Sequence, residues 1–317
     1  MKARAPGKLV LSGAYAVLEG APAIVTAVDR YVTADAERGA ELVTPEVREA
    51  VGATLAPWFD ASELREDGEK LGLGSSAAIV VASLASRALR ERGLLADAEL
   101  AELVLEPALA AHRRAQGGGS GVDVAAAAYG GTLVFHRAEP GAEGAVPALF
   151  RVALPAGLVV ETWWSRQAAS TADFVRRVRS LAEREPQSYS ALIGTQSRAA
   201  EAAVRAVLRG RADDFVAALG EQRRALAALG QAADVDIVTQ SVEALAALSE
   251  AAAVLPAGAG GGDIVLHVGR VPSSASFRER ATELGHRLLP LALGARGVHA
   301  LEGESDPPPH ATKRAAP

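Results

Sequence analysis

Glycine and serine residues are concentrated at residues 70–81, which read KLGLGSSAAIVV. Glycine loses more conformational entropy on ordering than other residues, so it belongs where a backbone bends or is closely approached. A helix beginning at Ser75 and Ser76 would point free N–H groups and the positive end of its dipole over Gly72 and Gly74. The pattern predicts an anion site. The alternative is an ordinary strand-to-helix turn, in which a serine only caps the helix.

Lysine is rare in this chain, since only four of its 33 basic residues are lysines: Lys2, Lys8, Lys70 and Lys313. Lys8 and Lys70 lie beside glycine-rich turns. An ammonium group is a compact point charge on a flexible stem, whereas arginine presents a planar fork. We therefore favour a functional role for these two lysines over the alternative, in which both are solvated surface residues.

A second glycine-rich loop covers residues 116–121 and is followed by Asp123, with His112 one helical turn before the loop. His112 and Gln116 are four residues apart, so they share one face of a helix. Asp123 follows Gly-Ser-Gly at the start of a predicted helix. Without a functional role, His112 would be a structural histidine, and Asp123 would be an acid that the helix dipole favours in a first turn.

A capping box at Ser170-Thr171-Ala172-Asp173 predicts another helix start. Its free N–H groups, with Arg166 nearby in sequence, could form a second anion site. Helix capping without ligand binding is an equally good interpretation of Ser170 and Thr171.

The elements that must position these residues indicate an α+β protein of two lobes. The predicted strands are at 8–18, 22–36, 132–137, 149–153 and 157–164. The predicted helices follow Ser75 to a C-cap at Gly93, cover 97–115, and fill about 170–254 with a break at Gly210. A last strand follows PAGAGGGD (256–263). We expect lobes at 1–155 and 156–303, a looser segment at 138–147, and a disordered tail at 304–317.

Bulk composition excludes several classes of protein. The net charge of −5 argues against nucleic acid or an acidic membrane as the main partner. The chain has no cysteine, which excludes disulfides and thiol catalysis. No apolar run is long enough to span a bilayer. The first residues do not form a clean signal peptide, so we expect a cytoplasmic protein; its oligomeric state, a homodimer included, is left open.

Three stretches, APGKLVLSGAYAVLEG (5–20), KLGLGSSAA (70–78) and GAGGGD (258–263), with GSGVD between the last two, resemble the GHMP small-molecule kinases. The resemblance runs from residue 5 to about 269. It implies an N-terminal lobe like ribosomal protein S5 domain 2, a ferredoxin-like C-terminal lobe, and ATP and Mg²⁺ as cofactors.

Within that superfamily the chain most resembles the phosphomevalonate kinases. The lysine before GLGSS, the segment AHRRAQGGGSGVDVAAAAYGG, the AAST of WWSRQAASTADFV and the aspartate that closes GAGGGD carry this likeness. Three departures are Leu255 in place of a usual lysine, Gly118 in place of a polar residue, and Trp164-Ser165 in place of threonine-glycine.

The resemblance implies a role for each group of motif residues. Lys8, Lys70 and Asp123 would be catalytic, and Ser76 would also be a Mg²⁺ ligand. The ATP phosphates would lie on Gly72, Leu73, Gly74, Ser75, Ser76 and Ala77. The acceptor would contact His112, Gln116, Ser120, Gly121, Arg166, Ser170, Thr171, Gly258, Ala259, Gly260, Gly261 and Asp263.

The implied reaction is phosphorylation of 5-phosphomevalonate to 5-diphosphomevalonate in the mevalonate pathway of isoprenoid biosynthesis. One alternative is another GHMP kinase with a hydroxyl acceptor, mevalonate kinase first. The other is a catalytically reduced member that binds a nucleotide or metabolite.

Overall fold

The structure of the chain, a computed structural model, describes residues 1–137, 147–167 and 171–301; of residues 171 and 172 it describes the backbone alone. Its strands are β1 (Lys2–Ser12), β2 (Ala23–Gly39), β3 (Pro57–Asp60), β4 (Arg65–Glu66), β5 (Glu69–Lys70), β6 (Thr132–His136), β7 (Ala148–Val152), β8 (Val159–Trp164), β9 (Ala253–Pro256), β10 (Ile264–Gly269), β11 (Arg287–Leu288) and β12 (His299–Ala300). Its helices are α1 (Pro45–Val51), α2 (Ser75–Arg92), α3 (Asp97–Gln116), α4 (Val122–Tyr129), α5 (Thr171–Arg184), α6 (Pro186–Leu208), α7 (Ala212–Ala233), α8 (Gln240–Ala246) and α9 (Ala275–Glu283).

The first sheet is antiparallel, with strand order β12-β1-β2-β6-β7 and β3 paired to β2. Helices α2, α3 and α4 pack on it. Small side chains on α2, such as Ala77, Ala78 and Ala82, are fully buried, so this helix can lie close to the strands. The core of the first half therefore holds the N-terminus of α2 at a fixed place over β1.

The second sheet is also antiparallel, with strand order β11-β8-β10-β9. Trp163 of β8 packs edge-on against Phe277 of α9, with ring centroids 5.5 Å apart. The long helices α6 and α7 pack against each other, and the break expected at Gly210 is confirmed, since α6 ends at Leu208 and α7 begins at Ala212. The mixed α and β character is confirmed; the two named lobe types stay predictions.

The first predicted strand, 8–18, has wrong bounds. The strand is Lys2–Ser12, and residues 16–19 form a 3₁₀ turn. Gly13 has φ of +89°, and a Cβ there would lie 2.3 Å from the carbonyl oxygen of Pro22. The chain turns at this position, and only a residue without a side chain fits there beside Pro22. In contrast, the helix after the first glycine-rich loop ends at Arg92 with Gly93 as C-cap, as expected.

The last described residues return to the first sheet. β12 pairs with β1 through Ala3↔Ala300 and Arg4↔His299. Gly130 forms a bridge with Arg296 beside this contact. The lobe boundary at residue 155 stays a prediction. The tail expected at 304–317 and all but the last residue of the segment 138–147 lie outside the described residues.

Across residues 1–137, 147–167 and 171–301, no helix is both long enough and apolar enough to cross a lipid bilayer.

The return of the chain to the first sheet can be tested with two glycines that cap helices in similar conformations. Gly93 has φ of 84° and ψ of −164°, and Gly130 has φ of 66° and ψ of −168°. A Cβ at Gly93 meets nothing within 4 Å, whereas at Gly130 it would lie 2.1 Å from the amide nitrogen of Gly297. Backbone strain should lower the unfolding free energy of both alanine variants by about 1–3 kcal/mol.

Gly130→Ala should lose a further ~1–3 kcal/mol of unfolding free energy, because the segment at Gly297 must move. Urea denaturation of both variants measures the difference. Equal losses of unfolding free energy in the two variants would contradict the packing of residues 295–297 against the end of α4.

Candidate active site

The glycine-rich loop at residues 70–74 leads directly into α2. Gly72 and Gly74 have φ of 74° and 76°, and Gly74 is itself the N-cap residue of the helix. No side chain caps α2 by hydrogen bonding. The alternative in which Ser76 caps the helix is therefore wrong: the serine lies inside the first turn. The leading N–H groups of α2 lack a side-chain cap and can bind an anion.

Lys8 of β1 lies beneath this loop. Its backbone N–H donates to the carbonyl of Leu73 at 2.9 Å, and its ammonium donates to the carbonyl of Gly72 at 3.3 Å. A Cβ on Gly74 would lie 2.9 Å from Cε of Lys8. Glycine is needed at 74 because the lysine stem passes directly beside it.

Two carboxylates face the Lys8 ammonium. Burial lowers the pKa of Lys8 below its usual value, while the charges of Asp123 and Asp263 oppose that shift. Asp123 lies in the first turn of α4, and its Cβ is 3.6 Å from the position of a Cβ on Gly74. The ammonium is therefore partly buried and lies between acids from two different motifs.

The third glycine-rich stretch closes over the first two. A Cβ on Gly72 would lie 2.4 Å from Cβ and Cγ of Asp263. The hydroxyl of Tyr15, in the first motif, donates to the carbonyl of Ala259 at 2.6 Å. Desolvation raises the pKa of Tyr15, so this phenol stays a neutral donor. The fold thus brings all three motifs to one place.

A hydrogen-bonded row of polar side chains borders the N-terminus of α2. His112 Nε2 lies 3.3 Å from the Ser76 hydroxyl and 3.4 Å from Oδ2 of Asp123. The amide of Gln116 donates to the Ser76 hydroxyl at 3.1 Å and to Oε1 of Glu46 at 3.1 Å. His112 and Gln116 thus share one helix face, as their spacing predicts, and both reach Ser76.

Two other predicted site residues, Lys70 and Arg166, lie at the surface. Lys70 is exposed on β5, and among the described residues its ammonium makes no hydrogen bond or ion pair. Arg166 is exposed, has φ of 60°, and lies 3.8 Å from Asp67. Ser170 lies outside the described residues, and Thr171 begins α5. Their roles in binding stay predictions.

The remaining predicted contacts are backbone-dominated. Ser120 accepts a hydrogen bond from the amide of Val122 at 3.3 Å, and Gly121 is the N-cap of α4. Gly258 has open space where a side chain would be, whereas a Cβ on Gly260 would lie 2.1 Å from the carbonyl of Ile237. A Cβ on Gly261 would lie 2.3 Å from the Phe174 ring. Of these three glycines, Gly258 alone has open space on the side where a side chain would point, and the binding roles of all three stay predictions.

Sequence reasoning missed two features of the site. Glu46 is buried beside Gln116, although the acidic segment at 39–69 carries no periodic pattern that singles it out. Arg113 and Arg179 both lie close enough to Arg137 for their charges to lower its pKa. The three arginines come from α3, the residue after β6, and α5, so no sequence motif unites them.

The residues around Ser76 fit Mg²⁺ as the companion of a phosphate group. Within the described ranges, no group of three or more acidic or histidine side chains could hold a metal ion by itself. Mg²⁺ in phosphoryl-transfer sites is bound by only one or two carboxylates together with substrate phosphates. The Ser76 hydroxyl and the carboxylates of Glu46 and Asp123 are oxygen donors of that type.

A match to a known protein family agrees with this fold and site. Residues 62–131 match the family model described as the GHMP kinases N terminal domain. That segment contains Lys70, the glycine-rich loop, His112 and Asp123. The resemblance to the GHMP kinases that the three motifs predict is confirmed.

Three individual kinases are similar to the chain along most of its length. Phosphomevalonate kinase of Streptomyces sp. (strain CL190) is 28% identical over an alignment of 375 residues, covering 93% of this chain and 97% of the relative. Mevalonate kinase of Aeropyrum pernix is 28% identical over 260 residues, covering 72% of this chain and 77% of the relative. Streptococcus pneumoniae phosphomevalonate kinase in complex with phosphomevalonate and AMPPNP superposes with a TM-score of 0.73 at 18% identity, covering 92% and 99% of the two chains.

The charge arrangement at Lys8 can be tested by NMR, because a chain with four lysines gives few lysine signals. Labelling lysine with ¹³C and titrating should place the pKa of Lys8 below its usual value. Asp123→Asn should lower it further, because the variant removes a charge that raises it. Asp213→Asn, on the surface of α7, is the matched control and should leave it unchanged.

The direction of the Lys8 pKa shift also determines how the stability of the fold depends on pH. The folded chain releases the Lys8 proton at lower pH than the unfolded chain, so the contribution of Lys8 to unfolding free energy rises with pH between the two pKa values. A Lys8 pKa at or above that of a free lysine would contradict its burial.

Proposed function

We propose that this chain is an ATP- and Mg²⁺-dependent kinase that transfers a phosphoryl group to 5-phosphomevalonate and forms 5-diphosphomevalonate. The observation that carries the proposal is the convergence of Lys8, Asp123 and the uncapped N-terminus of α2. The likeness to phosphomevalonate kinase along almost the whole chain supports it. In this role the chain acts in the mevalonate pathway of isoprenoid biosynthesis.

The phosphates of ATP bind at the loop of residues 72–77. Gly72 and Gly74 keep the approach open, and the first amides of α2 donate hydrogen bonds to phosphate oxygens. Phosphoryl transfer depends mainly on in-line positioning and on neutralising the charge of the transition state. The Lys8 ammonium, held beside the loop, supplies positive charge there, and Mg²⁺ when bound adds electrostatic stabilisation of the transferring group.

The acceptor decides what Asp123 does. A hydroxyl acceptor must lose a proton, for which a carboxylate base helps. A phosphate monoester has a second pKa of about 6 and is largely dianionic at neutral pH. With phosphomevalonate, Asp123 therefore orients Lys8 and His112, to which it is adjacent, and need not remove a proton.

A cluster of three arginines supports an anionic acceptor. A Cβ on Gly118 would lie 3.3 Å from a guanidinium nitrogen of Arg179, so this arginine faces the loop before Asp123. Burial lowers the pKa of Arg137, and the charges of Arg113 and Arg179 lower it further, opposed by Glu19. Three cations against one acid leave local positive charge that a phosphate or carboxylate of the acceptor can neutralise.

Mevalonate kinase is the second candidate, favoured by the likeness to the Aeropyrum pernix enzyme. It would use the same loop and Lys8, with Asp123 acting as a general base toward a hydroxyl group. The two candidates differ in the acceptor and in the duty of Asp123.

A coupled assay of ADP release with phosphomevalonate, mevalonate, homoserine and galactose tests the proposal. We expect turnover with phosphomevalonate, and kcat/KM should rise with pH through the acceptor's pKa near ~6 and then level off. Turnover with mevalonate alone would establish the second candidate. ATP binding without turnover of any acceptor would contradict both and indicate a binding protein.

Substitution of Arg179 tests the binding of the acceptor. Arg179→Gln should raise the KM for phosphomevalonate roughly tenfold or more, since a hydrogen bond to a charged group is worth about 1.5–3 kcal/mol, and should leave the KM for ATP unchanged. Arg176→Gln, on the exposed side of the same helix beside Asp173, is the matched control. An unchanged KM for phosphomevalonate in Arg179→Gln would remove the arginine cluster from the acceptor site.

A further inference from the structure

Glu46 is a buried acid in the first turn of α1, with a residue exposure of 6%. The helix does not need a buried carboxylate, because Thr44 already caps it by accepting from the amide of Val47. Acidic residues are almost never buried to this degree unless they are paired. The position of Glu46 therefore needs a partner.

Two other acids of the described chain that are withdrawn from solvent have cations beside them. The buried Asp35 lies 3.8 Å from the N-terminal ammonium, and the half-buried Glu161 lies 3.1 Å from the guanidinium of Arg278. In the part of the chain that the structure describes, no ion pair involves Glu46; its hydrogen bond is to the neutral amide of Gln116. Its position in the first turn of α1 gives Glu46 the partial positive charge of a short helix terminus. Beside that and the neutral amide, this buried carboxylate has no full opposite charge among the described residues.

The amide that contacts Glu46 also contacts the predicted nucleotide site. One nitrogen, Nε2 of Gln116, lies 3.1 Å from both Oε1 of Glu46 and the Ser76 hydroxyl. On the other side of Ser76, His112 connects to Asp123. Two carboxylates from different elements thus flank a hydroxyl in the first turn of α2.

We propose that Glu46 is a ligand of the divalent cation that enters with the nucleotide, with Ser76 as its neighbour. The inference rests on the proposed function, because it requires a nucleotide at the α2 N-terminus. Phosphates placed near Glu46 without a cation would meet an unpaired negative charge. A divalent cation between Glu46 and the phosphates compensates both, and hard oxygen donors suit Mg²⁺ or Mn²⁺.

This arrangement couples metal binding to nucleotide binding. In wild type, metal-free nucleotide is repelled by Glu46, and metal-bound nucleotide is attracted. Replacing the carboxylate with an amide of the same shape removes both effects. Glu46→Gln should therefore weaken the metal and spare, or even tighten, the binding of metal-free nucleotide.

The experiment measures Mn²⁺ binding by electron paramagnetic resonance at saturating ADP, and ADP binding by calorimetry in EDTA. Glu46→Gln should weaken Mn²⁺ in the ternary complex about tenfold or more, with metal-free ADP affinity equal to or above that of wild type. Glu49→Gln is the control: its carboxylate lies on the same helix, paired with Arg114 at 3.0 Å on the surface, and it should match wild type in both measurements.

Three outcomes would overturn the inference. Unchanged Mn²⁺ affinity in Glu46→Gln would show that Glu46 is not a ligand. A loss of metal-free ADP affinity would assign Glu46 to the nucleotide instead. A wild-type protein that binds no ADP with or without Mn²⁺ would remove the proposed function itself, and the inference with it.

Glu46→Asp provides a second variant if the glutamine variant does not fold. It keeps the charge but withdraws the carboxylate by one methylene group. The same weakening of Mn²⁺ with unchanged metal-free ADP affinity is expected, and wild-type Mn²⁺ affinity in this variant would contradict direct ligation.

Discussion

The site depends on the charge of the Lys8 ammonium, which is partly buried and paired with acids. The ammonium hydrogen-bonds the Gly72 carbonyl and lies in the fields of Asp123 and Asp263, so this charge of the first motif contacts or faces the other two motifs and the GSGVD segment. A buried charge is costly unless it is paired. The strands and helices that carry these residues must therefore stay in register with one another if the lysine is to remain compensated.

Two glycines are required by this lysine and its partners. A side chain at Gly74 would displace the Lys8 stem, and one at Gly72 would overlap Asp263. Because these two glycines have no side chain, they can adopt positive φ angles. Groups from β1 and from the β9–β10 turn can also approach them closely for the same reason. Close approach, as well as chain flexibility, explains the glycines of this loop.

Charge in the site is divided between two sides. The guanidinium of Arg179 faces Gly118 in the loop before Asp123, and its charge acts on Arg137 together with that of Arg113. The carboxylate of Glu46 contacts Gln116 beside Ser76 and makes no ion pair among the described residues. Such a division suits anionic groups at the arginines and a cation at Glu46.

The sequence alone determined the class of fold, the helix after the first loop with its C-cap at Gly93, the shared helix face of His112 and Gln116, and the likeness to GHMP kinases, because each of these depends on local spacing or on a contiguous motif. It misjudged the end of β1, where the reason for the turn at Gly13 is a contact with Pro22. Only the tertiary structure decided that Lys8 is partly buried between two aspartates while Lys70 is exposed, that Glu46 reaches Gln116, and that Arg179 faces Gly118. These pairings join residues from 61 to 255 positions apart, and such distances are bridged only by the packing of sheets and helices, which no local pattern encodes.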